Sequence, residues 1–291
     1  MQLLQICAGR GWEDAPHKSG FRLQSGEYRQ RKNREGSEIV KVALFVTCLV
    51  DQFYPQVAEA MIAVCNRLGV YVDFPEAQTC CGQPAFNSGY VDAARSAAMS
   101  LLDAFAEYDY VISPSGSCTG MIHHYYAKLF DDDQAHRAAA RDLADKTYEF
   151  SQFIVNVLGV TDLHATFPYS VTYHPSCHGT RLLGIRDEPL QLLTHVRGIE
   201  LIELGHQEDC CGFGGTFAVK MADISAAMAI EKAAHVKETG AQVLVGTDMG
   251  CLMNIGGRLQ RERMPVRVLH LAQLLAEGLS PVSSLTAEAA Q

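Results

Sequence analysis

Val42-Ala43-Leu44-Phe45-Val46-Thr47-Cys48 sets a short apolar run directly against a cysteine. The run from Val42 to Val46 has no polar break, the pattern of a strand buried on both faces. Beyond Cys48, Phe53, Val57, Met61, Val64, Cys65 and Leu68 recur at helical spacing, and Gly69 closes the helix. The reading is therefore strand, thiol, helix. The same order returns along the chain. Val70 to Phe74 is a strand ahead of Cys80-Cys81-Gly82, and a helix follows from about Tyr90 to Ala106. Tyr110 to Ser113 is a strand ahead of Pro114-Ser115-Gly116-Ser117-Cys118. Ser170 to Tyr173 leads into His174-Pro175-Ser176-Cys177-His178, and Ile199 to Leu204 precedes Cys210-Cys211-Gly212 and a long helix from Phe217 to Thr239. Val243 to Gly246 leads into Thr247-Asp248-Met249-Gly250-Cys251, and Val266 to Leu269 with its following helix closes the unit.

The spacing of the thiols repeats with the strands. Cys48 precedes its Cys-Cys pair by 32 positions and Cys118 follows by 37; Cys177 precedes by 33 and Cys251 follows by 40. One four-thiol pattern thus occurs twice, the mark of an internal duplication. Strands alternating with helices over short connections favour parallel sheets, and ligands of such sheets sit outside the carboxyl ends of the strands. The expected fold is α/β, with two pseudo-repeated modules of short parallel sheets flanked by helices. Their expected extents are 39–133 and 169–279, joined by a helical connector over 134–168. Asp131-Asp132-Asp133 reads as a solvated turn or a helix start, not a metal site. The Phe153, Val157 and Leu158 face reads as docking the connector onto a core. Residues 1–38 are polar, contain the charge cluster RQRKNREG and read as a disordered or artefactual tail; 280–291 read as a second tail. Cys7 falls in the first tail and has no counterpart in the repeat.

Composition narrows the class. The chain has 291 residues, 48% of them hydrophobic, with a formal net charge of -9. The negative balance argues against a nucleic-acid partner, which wants a basic stripe. No apolar stretch of transmembrane length and no signal-peptide pattern is present, so a cytoplasmic protein is expected. Ten cysteines in such a chain read as ligands rather than disulfides, which belong to short secreted frameworks. Adjacent cysteines also bridge each other poorly.

Four converging thiolates hold zinc or an iron–sulfur cluster. Helix N-termini lower thiol pKa values, and glycines such as Gly82, Gly116, Gly212, Gly214, Gly215 and Gly250 bring backbone N–H groups close to sulfur. Cys65 is the exception: it lies on the apolar stripe of its helix and reads as core. Zinc knuckles of the C-x-x-C type and the ferredoxin run are both missing, so electrons would have to be passed to or from a partner. His174 and His178 bracket Cys177 and are candidates to donate to cluster sulfur, tune its potential or relay protons, with capping or packing as the alternative. His123 and His124 read as helix surface or interface. Gly212-Phe213-Gly214-Gly215 lacks the arrangement of a nucleotide loop, and no hydrolase triad, P-loop or H-E-x-x-H motif occurs.

Cys, Cys-Cys-Gly and Cys, twice over, resemble the cysteine-rich CCG domain found in heterodisulfide reductase (its B-type component) and in the iron–sulfur component of glycolate oxidase. The stretches FVTCLVDQFYPQV, TCCGQPAFNSGY, YHPSCHGTRLLGI, EDCCGFGGTFAVK and VGTDMGCLMNIGGRL resemble more closely the lactate utilization protein A family of YkgE-type Fe–S oxidoreductases, over about residues 40 to 279. That resemblance implies an electron-transfer subunit of a system oxidising L-lactate to pyruvate, acting with lactate utilization proteins B and C, the B-type companion carrying ferredoxin-like cysteines. It implies ligand roles for Cys48, Cys80, Cys81 and Cys118, and for Cys177, Cys210, Cys211 and Cys251. Heterodisulfide reductase carries one further cysteine three places after the last. Met121 and Asn254 stand there in this chain. Four thiolates per module suit an ordinary [4Fe–4S] cluster, one or two per chain, with zinc possible in one module. The alternatives are a heterodisulfide-reductase-like thiol/disulfide catalyst and a zinc-binding structural adaptor.

Overall fold

The computed structural model describes residues 40–279. The expected tails over 1–38 and 280–291, and Cys7 with them, lie outside the described residues.

Two four-stranded sheets carry the fold, and every strand pair in both is parallel. The first sheet has the order β2-β1-β3-β4, with β1 Val42–Leu44, β2 Val72–Asp73, β3 Tyr110–Ser113 and β4 Thr147–Glu149. The second has the order β6-β5-β7-β8, with β5 Ser170–His174, β6 Glu200–Ile202, β7 Val243–Gly246 and β8 Arg267–His270. One order repeats the other. In each, the chain runs outwards from the first strand to one side and then returns to build the other side. The switch point therefore falls between β1 and β3, and between β5 and β7.

The central strands divide their side chains between two faces, as the strand period of two requires. Val42 and Leu44 enter one core, while Ala43 and Phe45 enter another. Val243 and Val245 share the first of these cores, and Leu244 faces a third. The shared core takes residues from both sheets and from the helices between them, so one core joins the two modules. Their terminal helices are exchanged. Helix Leu271–Leu279, which follows β8, packs on helix Pro55–Arg67 of the first module. Phe150–Gln152 and the π-turn Phe153–Val157, which follow β4, pack on helix Glu188–Thr194 of the second. Phe153 lies in the shared core, with Val157 and Leu158 packed against it.

The segment expected as a helical connector over 134–168 is more than that. It begins with helix Gln134–Lys146, capped by Asp133, whose carboxylate accepts from His136 N at 3.2 Å. Then β4 joins the edge of the first sheet through Val111–Thr147, Ile112–Tyr148 and Ser113–Glu149. Three residues ending in a carboxylate carry no apolar run, so pairing with β3 decides their conformation. Two expected helices are also divided. Pro55 starts a second helix after Cys48–Phe53, and Met221 separates Phe217–Lys220 from Ala222–Thr239.

Candidate functional site

All eight thiols of the repeat lie beyond the carboxyl ends of the strands. Cys48 and Cys177 open the helices after β1 and β5, and Cys118 and Cys251 sit in the first turn of the helices after β3 and β7. These four flank the switch points, where an open parallel sheet leaves a crevice. The Cys-Cys pairs enter from the β2 and β6 sides. Gly82 and Gly212 follow them at φ +78° and +82°, a backbone that side chains rarely adopt. A Cβ on Gly82 would meet the Ala94 carbonyl at 3.1 Å, and one on Gly212 the Ser225 carbonyl at 2.7 Å. Only glycine lets the chain turn there while pressed against the next helix.

In the first set, Cys81 Sγ lies 3.3 Å from Cys118 Sγ, and Cys80 interacts with Cys81 beside it. These contacts, with burial, push the Cys81 thiol well above its ordinary pKa. Tyr126 Oη donates to the Cys81 carbonyl at 2.9 Å and is itself buried. Cys48, in the first turn of its helix, is partly exposed and is not among these thiol contacts.

In the second set the Cys211 and Cys251 sulfurs lie within 4.8 Å of each other, and Cys210 interacts with Cys177 and Cys211. Cys177 and then Cys211 draw the Cys210 thiol well below its ordinary pKa, and Gly212 N donates to its sulfur at 3.4 Å. The same neighbours raise Cys177 and Cys211. Asn254 Nδ2 donates to the Cys211 carbonyl at 2.8 Å. Asn254 thus has a task of its own, holding the second Cys-Cys loop.

Exposure follows the same plan in both sets. Cys81 and Cys118 are 2% and 8% exposed, and Cys211 and Cys251 are 2% and 7%; the other four are partly open to solvent. Each set therefore has a dry half and a half within reach of a docking partner.

His174, a neighbour of the thiols in sequence, lies at the heart of the second set. A ring nitrogen of His174 and the sulfurs of Cys211 and Cys251 all lie within 4.8 Å of one another. The ring is buried, and neither nitrogen has a hydrogen-bond partner among the described residues. Burial, followed by the charge of Lys232, lowers its pKa to about 3, so the imidazole is neutral. A buried polar group without a partner is costly, and a metal or a sulfur acceptor would relieve it. His178 lies nearer the mouth, with Nδ1 at 3.7 Å from Cys177 Sγ. His123 and His124 stand apart from the thiols, on the Thr147 and Leu182 carbonyls; the second contact joins the two modules. Cys65 is buried in the shared core and its thiol is pushed up to about 12 by burial. Soft thiolates in buried crevices, with an orphaned imidazole beside one set, are a donor set for a metal or an iron–sulfur cluster.

Two residues that carry no motif in the sequence belong here. Lys232 is 1% exposed, and its Nζ donates to the His206 carbonyl at 2.6 Å, on the loop leading to Cys210. Its signal is position: Ser225, Ala229, Lys232, Ala233 and Val236 form the buried stripe of one helix. Asp248 joins the two sets. One oxygen accepts from Ser115 Oγ and Ser117 N, both at 2.9 Å, and the other from Gly250 N at 2.9 Å. Ser115 and Asp248 each cap the helix that bears the last thiol of its module. Gly116 lies so close to the second module that a Cβ there would meet Gly179 Cα at 3.0 Å.

This is the architecture of a duplicated cysteine-rich protein, and comparison with known proteins agrees. The cysteine-rich domain family designated CCG matches twice, over residues 42–123 and 171–256. "Lactate utilization protein A 1" of Bacillus anthracis is 52% identical over 241 residues, covering 83% of this chain and 100% of the relative. "Lactate utilization protein A" of Bacillus velezensis is 57% identical over 236 residues, covering 81% and 99%. The chain belongs to the lactate utilization protein A family. Among solved structures, a hypothetical protein from Helicobacter pylori shares the fold at TM-score 0.57 and 11% identity, over 83% of this chain and about half (49%) of that one. No described helix is long and apolar enough to cross a membrane.

Proposed function

We propose that this chain is the electron-transfer subunit of a system that oxidises L-lactate to pyruvate, and that each four-thiol set holds a [4Fe–4S] cluster. Cys48, Cys80, Cys81 and Cys118 would hold one, and Cys177, Cys210, Cys211 and Cys251 the other. The carrying observation is the doubled convergence of thiols at the two switch points, in a chain more than half identical to proteins named for lactate utilization.

When bound, such a cluster takes up and releases single electrons. The chain's own part is to place and shield the sites. Cys81, Cys118, Cys211 and Cys251 form their dry floors, while Cys80 and Cys210 lie partly open at the surface. Gly212 N and the Tyr126 and Asn254 side chains fix the Cys-Cys loops. The open side suits a companion that donates or accepts electrons without covalent chemistry here. Companions of the B and C types would supply the lactate-reacting and ferredoxin-like parts, in a cytoplasmic assembly.

One observation favours a second reading for one site. A buried imidazole among thiolates is also zinc chemistry, and would make the second set structural. The test combines the anaerobically reconstituted chain with its B- and C-type companions. L-lactate is expected to bleach the visible absorption of this chain, with pyruvate formed, and Cys211→Ser should lower or abolish the response. Pyruvate formed at full rate without this chain, or with no change in its absorption, would reject the reading.

A further inference from the structure

The two thiol sets sit in matched frames with different linings. Phe45 and His174 stand at the same place, three residues before Cys48 and Cys177. The helices after the Cys-Cys loops match through their contacts with the glycines, Ala94 with Gly82 and Ser225 with Gly212. Seven residues further on stand Leu101 and Lys232. The first set thus has Phe45 and Leu101, both 0% exposed, in the core that includes Cys81 and Cys118. Phe45 packs edge-on against Phe105 with ring centroids 5.7 Å apart. At the same two places the second set has a buried imidazole with unpartnered nitrogens and a buried ammonium.

We infer that His174 and Lys232 make the second thiol set the electron sink of the pair, its bound group reduced at a higher potential than the group at the first. This rests on the iron–sulfur reading above. Reduction adds negative charge to a cluster and its thiolates, and an N–H donor or a fixed cation within reach stabilises that charge. The His174 ring carries an N–H to give, and it lies among Cys211 and Cys251. The charge of Lys232 acts on Cys211, Cys210 and Cys251. The opposing charges nearby are Asp209 and Asp248. Asp209 also faces Lys232, and both oxygens of Asp248 already accept hydrogen bonds at the seam. Hydrophobic side chains at the first set offer neither donor nor cation. An electron placed there then moves downhill: one group is oxidised by one electron, the other is reduced by one, and no proton or bond is exchanged. The path is short, since Cys118 and Cys251 each lie three residues from the Ser115–Asp248 contact, about 4.5 Å of helix on either side.

The test is an anaerobic redox titration of the full reconstituted chain, followed by EPR. Cys81→Ser and Cys211→Ser assign each reduction wave to its site. The expected result is two waves, the higher one missing from Cys211→Ser. His174→Phe, which copies the first site, should move that wave down and leave the other in place. Lys232→Met should do the same, and Lys232→Arg, which keeps the charge, should restore it. Phe45→His should raise the lower wave. The inference is overturned if the higher wave disappears in Cys81→Ser instead, or if His174→Phe and Lys232→Met move neither wave. If the chain takes up no iron, or takes zinc at the second set, the iron–sulfur reading itself fails and the inference with it; bound iron with unmoved waves rejects the inference alone.

Discussion

The two halves agree in what aims the thiols and differ in what surrounds them. Both put cysteines past the ends of parallel strands, turn the Cys-Cys pair with a glycine at positive φ and pin it with a donor to the second cysteine's carbonyl. Yet the first half lines its crevice with Phe45 and Leu101, and the second with His174 and Lys232. Backbone geometry brings the sulfurs together and tolerates little change, because a Cβ in the wrong place meets backbone. The lining is free to vary, and it controls charge and donors, which set what a bound group does. A duplicated frame therefore need not mean a duplicated task.

The exchanged helices tie the two halves together. Leu275 and Ile154 are fully buried in the shared core, one on each exchanged element. Leu275→Ala and Ile154→Ala should each cost about 2–5 kcal/mol in urea unfolding. A large loss for one and almost none for the other would show that the exchange holds only on one side.

The ends of the outer strands give a sharper contrast. Glu149 and His270 end β4 and β8, and each caps the helix that follows. Burial raises Glu149 from 4.5 to about 7 and lowers His270 from 6.5 to about 4. The signs are opposite. Between pH 4.5 and 7 the folded chain holds a proton on Glu149 that the unfolded chain has lost, so stability falls as pH rises. Between pH 6.5 and 4 the unfolded chain protonates His270 and the folded chain does not, so stability falls as pH drops. Each contributes about 3 kcal/mol across its window. Glu149→Gln should remove the first slope and expose the second, and His270→Gln the reverse, in unfolding curves taken across this range. Identical pH profiles for the two variants would contradict the assignment.

Gly212→Ala should cost about 1–3 kcal/mol for its backbone conformation, and more for the clash with Ser225. Gly82→Ala has nearly the same φ but a looser contact and should cost less. The reverse order, measured by thermal unfolding, would mean that the two loops are not held alike. The smallest effect belongs to the seam. Asp248→Asn keeps a capping oxygen for Gly250 N but sets an amide NH2 against the Ser117 N–H, losing that bond and leaving at most a reversed one to Ser115 Oγ, and should cost about 1 kcal/mol. No change at all would place the join between modules elsewhere.

Much of this was legible in the sequence. The apolar runs of β3 and β7 end where Tyr110–Ser113 and Val243–Gly246 end, and the doubled thiol spacing marked the two crevices. β4 was not legible, because Thr147, Tyr148 and Glu149 owe their conformation to β3 alone. The exchange of terminal helices was hidden for a similar reason: an amphipathic helix shows that it has a partner, not which one. Lys232 looks like a solvated helix residue until its stripe is counted. His174 stands out beside Cys177, but its meaning depends on Phe45 in the other half, and only the matched frames show that.

Two separate iron–sulfur groups, one on each thiol set, would show in iron and acid-labile sulfide analysis, with EPR after reduction, of the anaerobically reconstituted chain beside Cys81→Ser and Cys211→Ser. Two clusters are expected in the parent chain. Each variant should lose one cluster and keep the spectrum the other loses. An iron-free parent, or two variants that lose the same signal, would contradict it.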